Sequence, residues 1–176
     1  MKLLALDAAT TACSVACWSA GAVTARRQEI AGRRQAEILL PMVKSAMQEA
    51  GFEFAMLNGI AVTTGPGSFT GVRIGLATAR GLALASGLPL AGVTTLQVLA
   101  ASPSQDERRG RLILAALDAR RDQLYAQFFH ENGDPAGEPF AAAAGTIPGR
   151  LVKIRRPNAA LLLVGSGAGL AARALD

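Results

Sequence analysis

Along the first thirty residues, short apolar runs alternate with single turns. Residues 2–7 stay apolar until Asp7, the small and polar stretch 8–11 interrupts them, and 12–19 resume the alternation, a pattern of strand, turn and strand. Gly21 opens a second turn into residues 23–29, which predicts three adjacent antiparallel strands. The period then changes. Over residues 34–50, Ile38, Leu39, Met42, Val43, Ala46 and Met47 recur at helical spacing, Gly51 supplies the stop, and Pro41 predicts a kink. Residues 59–64 read as a buried strand and Gly65-Pro66-Gly67 as a turn. Ser68 or Thr70 reads as a helix cap, Phe69–Ser86 as a second helix, and 88–93 as a further strand. The predicted order is βββαβα with a closing strand.

Residues 101–110 form the longest polar, turn-rich interruption and place a boundary between an N-terminal unit, 1–103, and a C-terminal unit, 104–176. Beyond it the pattern restarts. Ala5-Leu6-Asp7-Ala8 recurs as Ala116-Leu117-Asp118-Ala119, each time ending an apolar strand before a small turn and another strand. Val62-Thr63-Thr64-Gly65-Pro66-Gly67 finds an echo in Leu163-Val164-Gly165-Ser166-Gly167. The sequence therefore predicts a duplicated α/β unit.

Composition narrows the class. The chain has 176 residues, 51% hydrophobic and 18% charged, with a mean hydropathy of +0.30, which excludes disorder and predicts a core-rich globular protein. The net charge of +5 comes from cations scattered along the chain, so it permits a nucleic-acid partner without naming one. The apolar stretch 70–93 is interrupted by Arg73, Arg80 and Pro89 and does not read as a membrane span, and no targeting segment is visible, so a cytoplasmic location is expected. Cys13 and Cys17 share one face of a strand and read as buried free thiols.

Several residues could carry chemistry. Asp7 and Asp118 end equivalent strands; a pseudo-twofold would set them across a cleft able to hold a metal-nucleotide, or each simply caps its own turn. Gly65, Gly67 and Ser68 belong to a glycine-rich strand-to-helix loop that suits an anion, although it lacks the lysine of a Walker A loop. Gly67, Gly71, Gly75, Ala79 and Ala83 recur every fourth residue, a stripe of tiny side chains that lets another helix come close. The helix over 34–50 carries more apolar positions than one buried stripe needs, so the two helices together suggest an interface with another subunit, or both only cover their own sheet. Arg73 and Arg80, seven residues apart, could serve that interface, a phosphate or a nucleic acid. With His130 as the single histidine, no histidine pair for a metal can form, and no catalytic or metal-ligating residue is nominated.

Leu4-Ala5-Leu6-Asp7-Ala8-Ala9, Ala12-Cys13-Ser14-Val15-Ala16, Leu39-Leu40-Pro41-Met42-Val43, the run from Gly65-Pro66-Gly67-Ser68-Phe69-Thr70 through Gly71-Val72-Arg73-Ile74-Gly75, and Leu117-Asp118-Ala119-Arg120-Arg121-Asp122-Gln123-Leu124-Tyr125 closely resemble the TsaB (YeaZ) family. The resemblance implies an actin/Hsp70/sugar-kinase-like, ribonuclease H-like α/β fold of duplicated βββαβα units. It implies a bacterial protein needed to make threonylcarbamoyladenosine beside the tRNA anticodon. In that family the transfer belongs to TsaD, which has the metal-binding histidines; TsaB is its non-catalytic partner, and the ATPase TsaE joins them. Pairing with TsaD, or as a homodimer when alone, runs through the two N-terminal helices, here Ile38, Leu39, Met42, Val43 and Met47 with Gly71, Ile74, Gly75, Thr78, Ala79 and Leu82. No intrinsic cofactor is implied, with ATP or ADP and Mg expected only at the partner junction, and tRNA is met through the complex. The chain departs from the family pattern at Gln35-Ala36, where His-Ser or His-Thr is common, and at Asp176, where it stops before the family's last elements, so the second unit is expected to be truncated. Two rival readings are a small nucleotide-dependent kinase or carbamoyltransferase using Asp7 and Asp118, and a glycoprotease, which the single histidine opposes.

Overall fold

In the computed structural model, which describes residues 1–154 and 160–176, the alternating N-terminal segments become β1 (Lys2–Asp7), β2 (Ala12–Ser19) and β3 (Ala22–Ile30). The helical stretch becomes α1 (Gln35–Ala50), followed by β4 (Gly59–Thr63), α2 (Phe69–Ser86) and β5 (Leu90–Val93). These strands form one sheet in the order β3-β2-β1-β4-β5, antiparallel through β2 and parallel from β1 to β5. Register explains the core. Leu6 lies opposite both Val15 and Val62, and Leu4 opposite both Cys17 and Ile60, so alternate residues of three strands gather on one face. Against that face pack Ile38, Leu39, Met42, Val43, Ala46 and Met47 of α1 and Ala79 and Ala83 of α2.

Both helices have local reasons to begin and end where they do. Gly51 and Gly87 sit in the left-handed region, at φ 64° and 67°, as C-caps. Ser68 caps α2 by accepting from the Gly71 amide at 3.3 Å. α1 runs without interruption through Pro41 and is tied to β3 by the Arg27–Glu49 ion pair and by Arg27 Nε donating to Ser45 Oγ at 3.2 Å.

The chain divides into two units, Met1–Thr95 and Leu96–Asp176, so the boundary falls ahead of the one expected at 103/104. The cause is α3 (Thr95–Ala101), whose Leu96 and Ala100 are buried with Ile113, Ala115, Leu117 and Phe129 of the second unit. The polar stretch expected as a linker instead carries α4 (Gln105–Arg108), opened by a capping box between Ser104 and Glu107. β6 (Arg111–Arg120), β7 (Gln123–Phe129), β8 (Phe140–Ala143), α5 (Ile147–Ile154), β9 (Ala160–Val164) and α6 (Ala168–Arg173) complete the second unit. Its strand order, β8-β7-β6-β9, repeats the first four positions of the first sheet with the same parallel and antiparallel pairings. The duplication expected from the repeated Ala-Leu-Asp-Ala is therefore real at the level of topology.

Two outcomes follow from this packing. A Cβ at Gly71 would lie far inside contact distance of the Ala8 carbonyl oxygen, whereas one at exposed Gly81 would meet nothing within 4 Å. Gly71→Ala should cost about 1–3 kcal/mol or more through overpacking, while Gly81→Ala should stabilise by about 1 kcal/mol from helix propensity, both read from urea midpoints.

Cys13 and Cys17 are sealed in the core, and burial, with smaller contributions from nearby carboxylates, raises both thiols above the ordinary 9.0. The unfolded chain then loses these protons at lower pH than the folded one. Their contribution is constant below about pH 8 and falls as pH rises through 9.0. Stability measured against pH should show that alkaline decline in the parent and a flatter profile in Cys13→Ala/Cys17→Ala.

Candidate functional site

The loop between β4 and α2 was the strongest chemical candidate in the sequence. It leaves β4 at Gly65, which has φ +97° and a cis peptide bond to Pro66. The Ser68 amide then donates to the Ala9 carbonyl at 2.7 Å, and the Val72 amide donates to the Ser68 carbonyl at 2.9 Å. A side chain at Gly67 would collide with the Ala9 carbonyl oxygen, and one at Gly71 with that of Ala8. What comes close to these glycines is the chain's own backbone, presented as acceptors. A phosphate here would face two carbonyl oxygens and find the Ser68 amide already used, so Gly65, Gly67 and Ser68 do not fit a nucleotide phosphate.

Asp7 adjoins this loop. Its Oδ1 accepts from the Ala9 amide at 2.9 Å and from Thr63 Oγ1 at 2.5 Å, so the carboxylate caps its own turn and ties β1 to the end of β4. Asp118 makes the same turn in the second unit, accepting from the Arg120 amide at 2.7 Å, and its own amide donates to Ser166 Oγ at 3.2 Å. The hairpin beyond it, Arg120, Arg121 and Asp122, holds three consecutive left-handed residues, φ 72°, 53° and 57°. Thr63 and Ser166 are the residues that sequence reasoning missed. Each lies beside the glycine turn after the strand parallel to the aspartate's own, and the repeated strand-glycine pattern was the signal that pointed to them.

The nominated interface residues are placed differently from the expectation. Ile38, Leu39, Met42, Val43 and Met47 are all buried in the first unit, as are Gly71, Gly75 and Ala79, while Ile74, Thr78 and Leu82 are half-buried. The excess of apolar positions on α1 is needed by its own fold, because the helix covers β2 and β3 and also lies beside α2. Gly75 makes ordinary contact with the Ala8 Cβ at 3.6 Å and the Val62 Cγ2 at 3.8 Å, so the small-residue stripe seats α2 on its own sheet.

What these helices leave outside is a groove of about 460 Å³ lined by Leu40, Val43, Lys44, Met47, Gln48, Phe52, Glu53, Phe54 and Leu82. Leu40 is 51% exposed at its rim. Another surface of α2 presents Phe69, Arg73, Ala77, Arg80 and Leu84, with the Arg73 guanidinium 3.7 Å from the centroid of the Phe69 ring. His130 is exposed beside a hollow of about 380 Å³ at the start of β6. Among the described residues, no group of three or more His, Cys, Asp and Glu side chains is placed to hold a metal ion, and no helix is long and apolar enough to cross a membrane.

Three antiparallel strands continued by parallel strands, with a helix between the two sets and the arrangement repeated in the second unit, define a duplicated ribonuclease H-like α/β protein of the actin and sugar-kinase class. The chain belongs to the TsaD family, described as tRNA N6-adenosine threonylcarbamoyltransferase, whose model matches residues 23–161. It is 43% identical over 140 residues to the tRNA threonylcarbamoyladenosine biosynthesis protein TsaB of Escherichia coli K12, a match covering 78% of this chain and 60% of that protein. The chain thus spans about three fifths of that curated relative. Among solved structures it is similar to YeaZ from Pseudomonas aeruginosa, with a TM-score of 0.81 and 34% identity over 98% of this chain and 79% of that one. The fold extends to the Aquifex aeolicus Ppx/GppA phosphatase, with a TM-score of 0.50 and 9% identity over 93% of this chain and 67% of that one.

The geometry gives Asp7 and Asp118 unequal structural weight. Asp7→Ala leaves the buried Thr63 hydroxyl without its acceptor and should cost about 1–3 kcal/mol. Asp118 is exposed, so water replaces it at the Arg120 amide and Asp118→Ala should cost well under half as much. Urea midpoints of the two variants test this; equal losses would contradict it.

Proposed function

We propose that this chain is a non-catalytic supporting subunit of the bacterial cytoplasmic assembly that adds a threonylcarbamoyl group to the adenosine beside the tRNA anticodon. It docks on TsaD through the face shared by α1 and α2, TsaE joins the pair, and tRNA is met through the complex. The similarity to TsaB and YeaZ supplies the process. The observation that carries the docking role is the apolar groove between α1, the Phe54 turn and Leu82 of α2, where Leu40 stands exposed on the outer side of α1. A groove whose floor is already packed asks for a partner side chain to fill it, while Lys44 and Glu53 at its edge give that partner a polar rim. In this reading the glycine loop and Asp7 serve the fold, and the assembly's turnover resides in TsaD.

The test is co-elution of this chain with its cognate TsaD, followed by light scattering. Leu40→Glu/Leu82→Glu should keep the parent's circular dichroism and reduce TsaD binding at least tenfold, because two charges would be buried in an apolar groove. Ile30→Glu, on the exposed end of β3, should bind as the parent does. Undiminished binding by the double variant, in a folded protein, would move the docking face elsewhere.

A further inference from the structure

α2 carries a second outward feature that the groove does not use. Phe69, Arg73, Ala77, Arg80 and Leu84 fall on one stripe at helical spacing, about 22 Å long at 1.5 Å per residue. Both ends are apolar and open to solvent, Phe69 at 69% and Leu84 at 87% exposure. The middle is cationic without compensation. The helix has no Asp or Glu, and among the described residues neither Arg73 nor Arg80 forms an ion pair. The first unit's described ion pairs draw Glu29, Glu37 and Glu49 to Arg27 and Arg34 instead.

The stripe is symmetric about the Leu76–Ala77 bond. Phe69 and Leu84 stand equally far from it, and so do Arg73 and Arg80. In an antiparallel contact between two copies, Phe69 would meet Leu84 of the second copy, which is favourable, but Arg73 would meet that copy's Arg80, which is not. We propose that this stripe is a partner-selecting surface: it takes a helical face of a different chain with carboxylates at its centre and apolar residues at its ends, and its arginines act against self-pairing. The proposal rests on the docking role above and deepens it by stating the partner's chemistry. A protein face is favoured over RNA because Leu84, 87% exposed, offers neither a phosphate nor a base a specific contact, whereas it is an anchor that a facing helix can use.

Salt distinguishes the two pairings by sign. Screening weakens attraction between unlike charges and relieves repulsion between like ones. Sedimentation of the chain alone and titration into its cognate TsaD, each at low and high sodium chloride, should show TsaD affinity falling about tenfold with salt while self-association rises. Arg73→Gln/Arg80→Gln should flatten the TsaD salt dependence and strengthen self-association at low salt, and Arg73→Lys/Arg80→Lys should restore the parent's salt dependence. Binding to TsaD that neither salt nor the glutamine variant alters would overturn this proposal while leaving the docking role standing; no binding to TsaD under any condition would overturn the docking role itself. A short single-stranded RNA bound by the chain alone, and lost in the glutamine variant, would also overturn the proposal by assigning the stripe to nucleic acid.

Discussion

The seating of the first turn of α2 on the carbonyls of Ala8 and Ala9 is the contact that sets the rest of the first unit. Those carbonyls follow β1 and lie where the Cβ atoms of two side chains would otherwise be, so only glycine at positions 67 and 71 lets the helix come so close. The Ser68 amide then closes onto Ala9, and the Asp7 carboxylate holds the same short turn from below through the Ala9 amide and Thr63. Once α2 is fixed at this end, its small residues at 75, 79 and 83 continue over the sheet and α1 fills the space beside it. The second unit makes a related contact at a different position, inside β6. A side chain at Gly165 would run into the Ala116 carbonyl, and the Gly167 amide donates to that oxygen at 3.0 Å. In both units a glycine turn thus seats on backbone carbonyls near the aspartate strand, after β1 in the first unit and within β6 in the second.

That seating changes what the glycine loop means. Strand, glycine turn and helix N-terminus are also the parts of a phosphate cradle, and sequence alone gives no preference between the two uses. The distinction lies in what occupies the space that the missing side chains leave. A cradle leaves it for a ligand and points donors into it; here the space holds carbonyl oxygens of the same chain. Glycine is required in either case, which is why a pattern of glycines cannot by itself separate binding from folding.

Much of the fold was legible because its signals are local. The alternation of β1 to β3, the Ser68 cap, the Gly51 stop and the repeated Ala-Leu-Asp-Ala all act within a few residues and lead directly to the elements seen. What escaped was tertiary. Nothing local marks Leu96 and Ala100 as belonging to the second unit; that follows from the face of β6 and β7 they cover. β8 is formed by Phe140 and three alanines, a run without alternation that becomes a strand because β7 offers it an edge. α5 carries Gly149 in its first turn, a residue that argues against a helix in isolation, and it is held by Ile147 and Leu151 in the core. The site divided in the same way: the aspartate turn onto Ala9 is local and was readable as one of two alternatives, whereas the choice needed Thr63, which reaches Asp7 only through the fold.

The interface reading shows that helical spacing alone does not separate the inner face of a helix from its outer one. Apolar and tiny residues at helical spacing do mark a helix that must be covered, but they do not say by what. On α1 and α2 they are covered from within, by the sheet and by the turn after β1. The residues left outside are those that break the apolar pattern: Leu40 on the outer row of α1, and Phe69 and Leu84 bracketing two arginines on α2. An exposed large apolar side chain on a small domain gains nothing from its own fold, and an arginine in an acid-free helix gains no ion pair there. In the docking reading proposed above, their free-energy gain is realised in the complex. On that view the inward stripes fix where the helices lie, and the outward exceptions determine which protein can bind them.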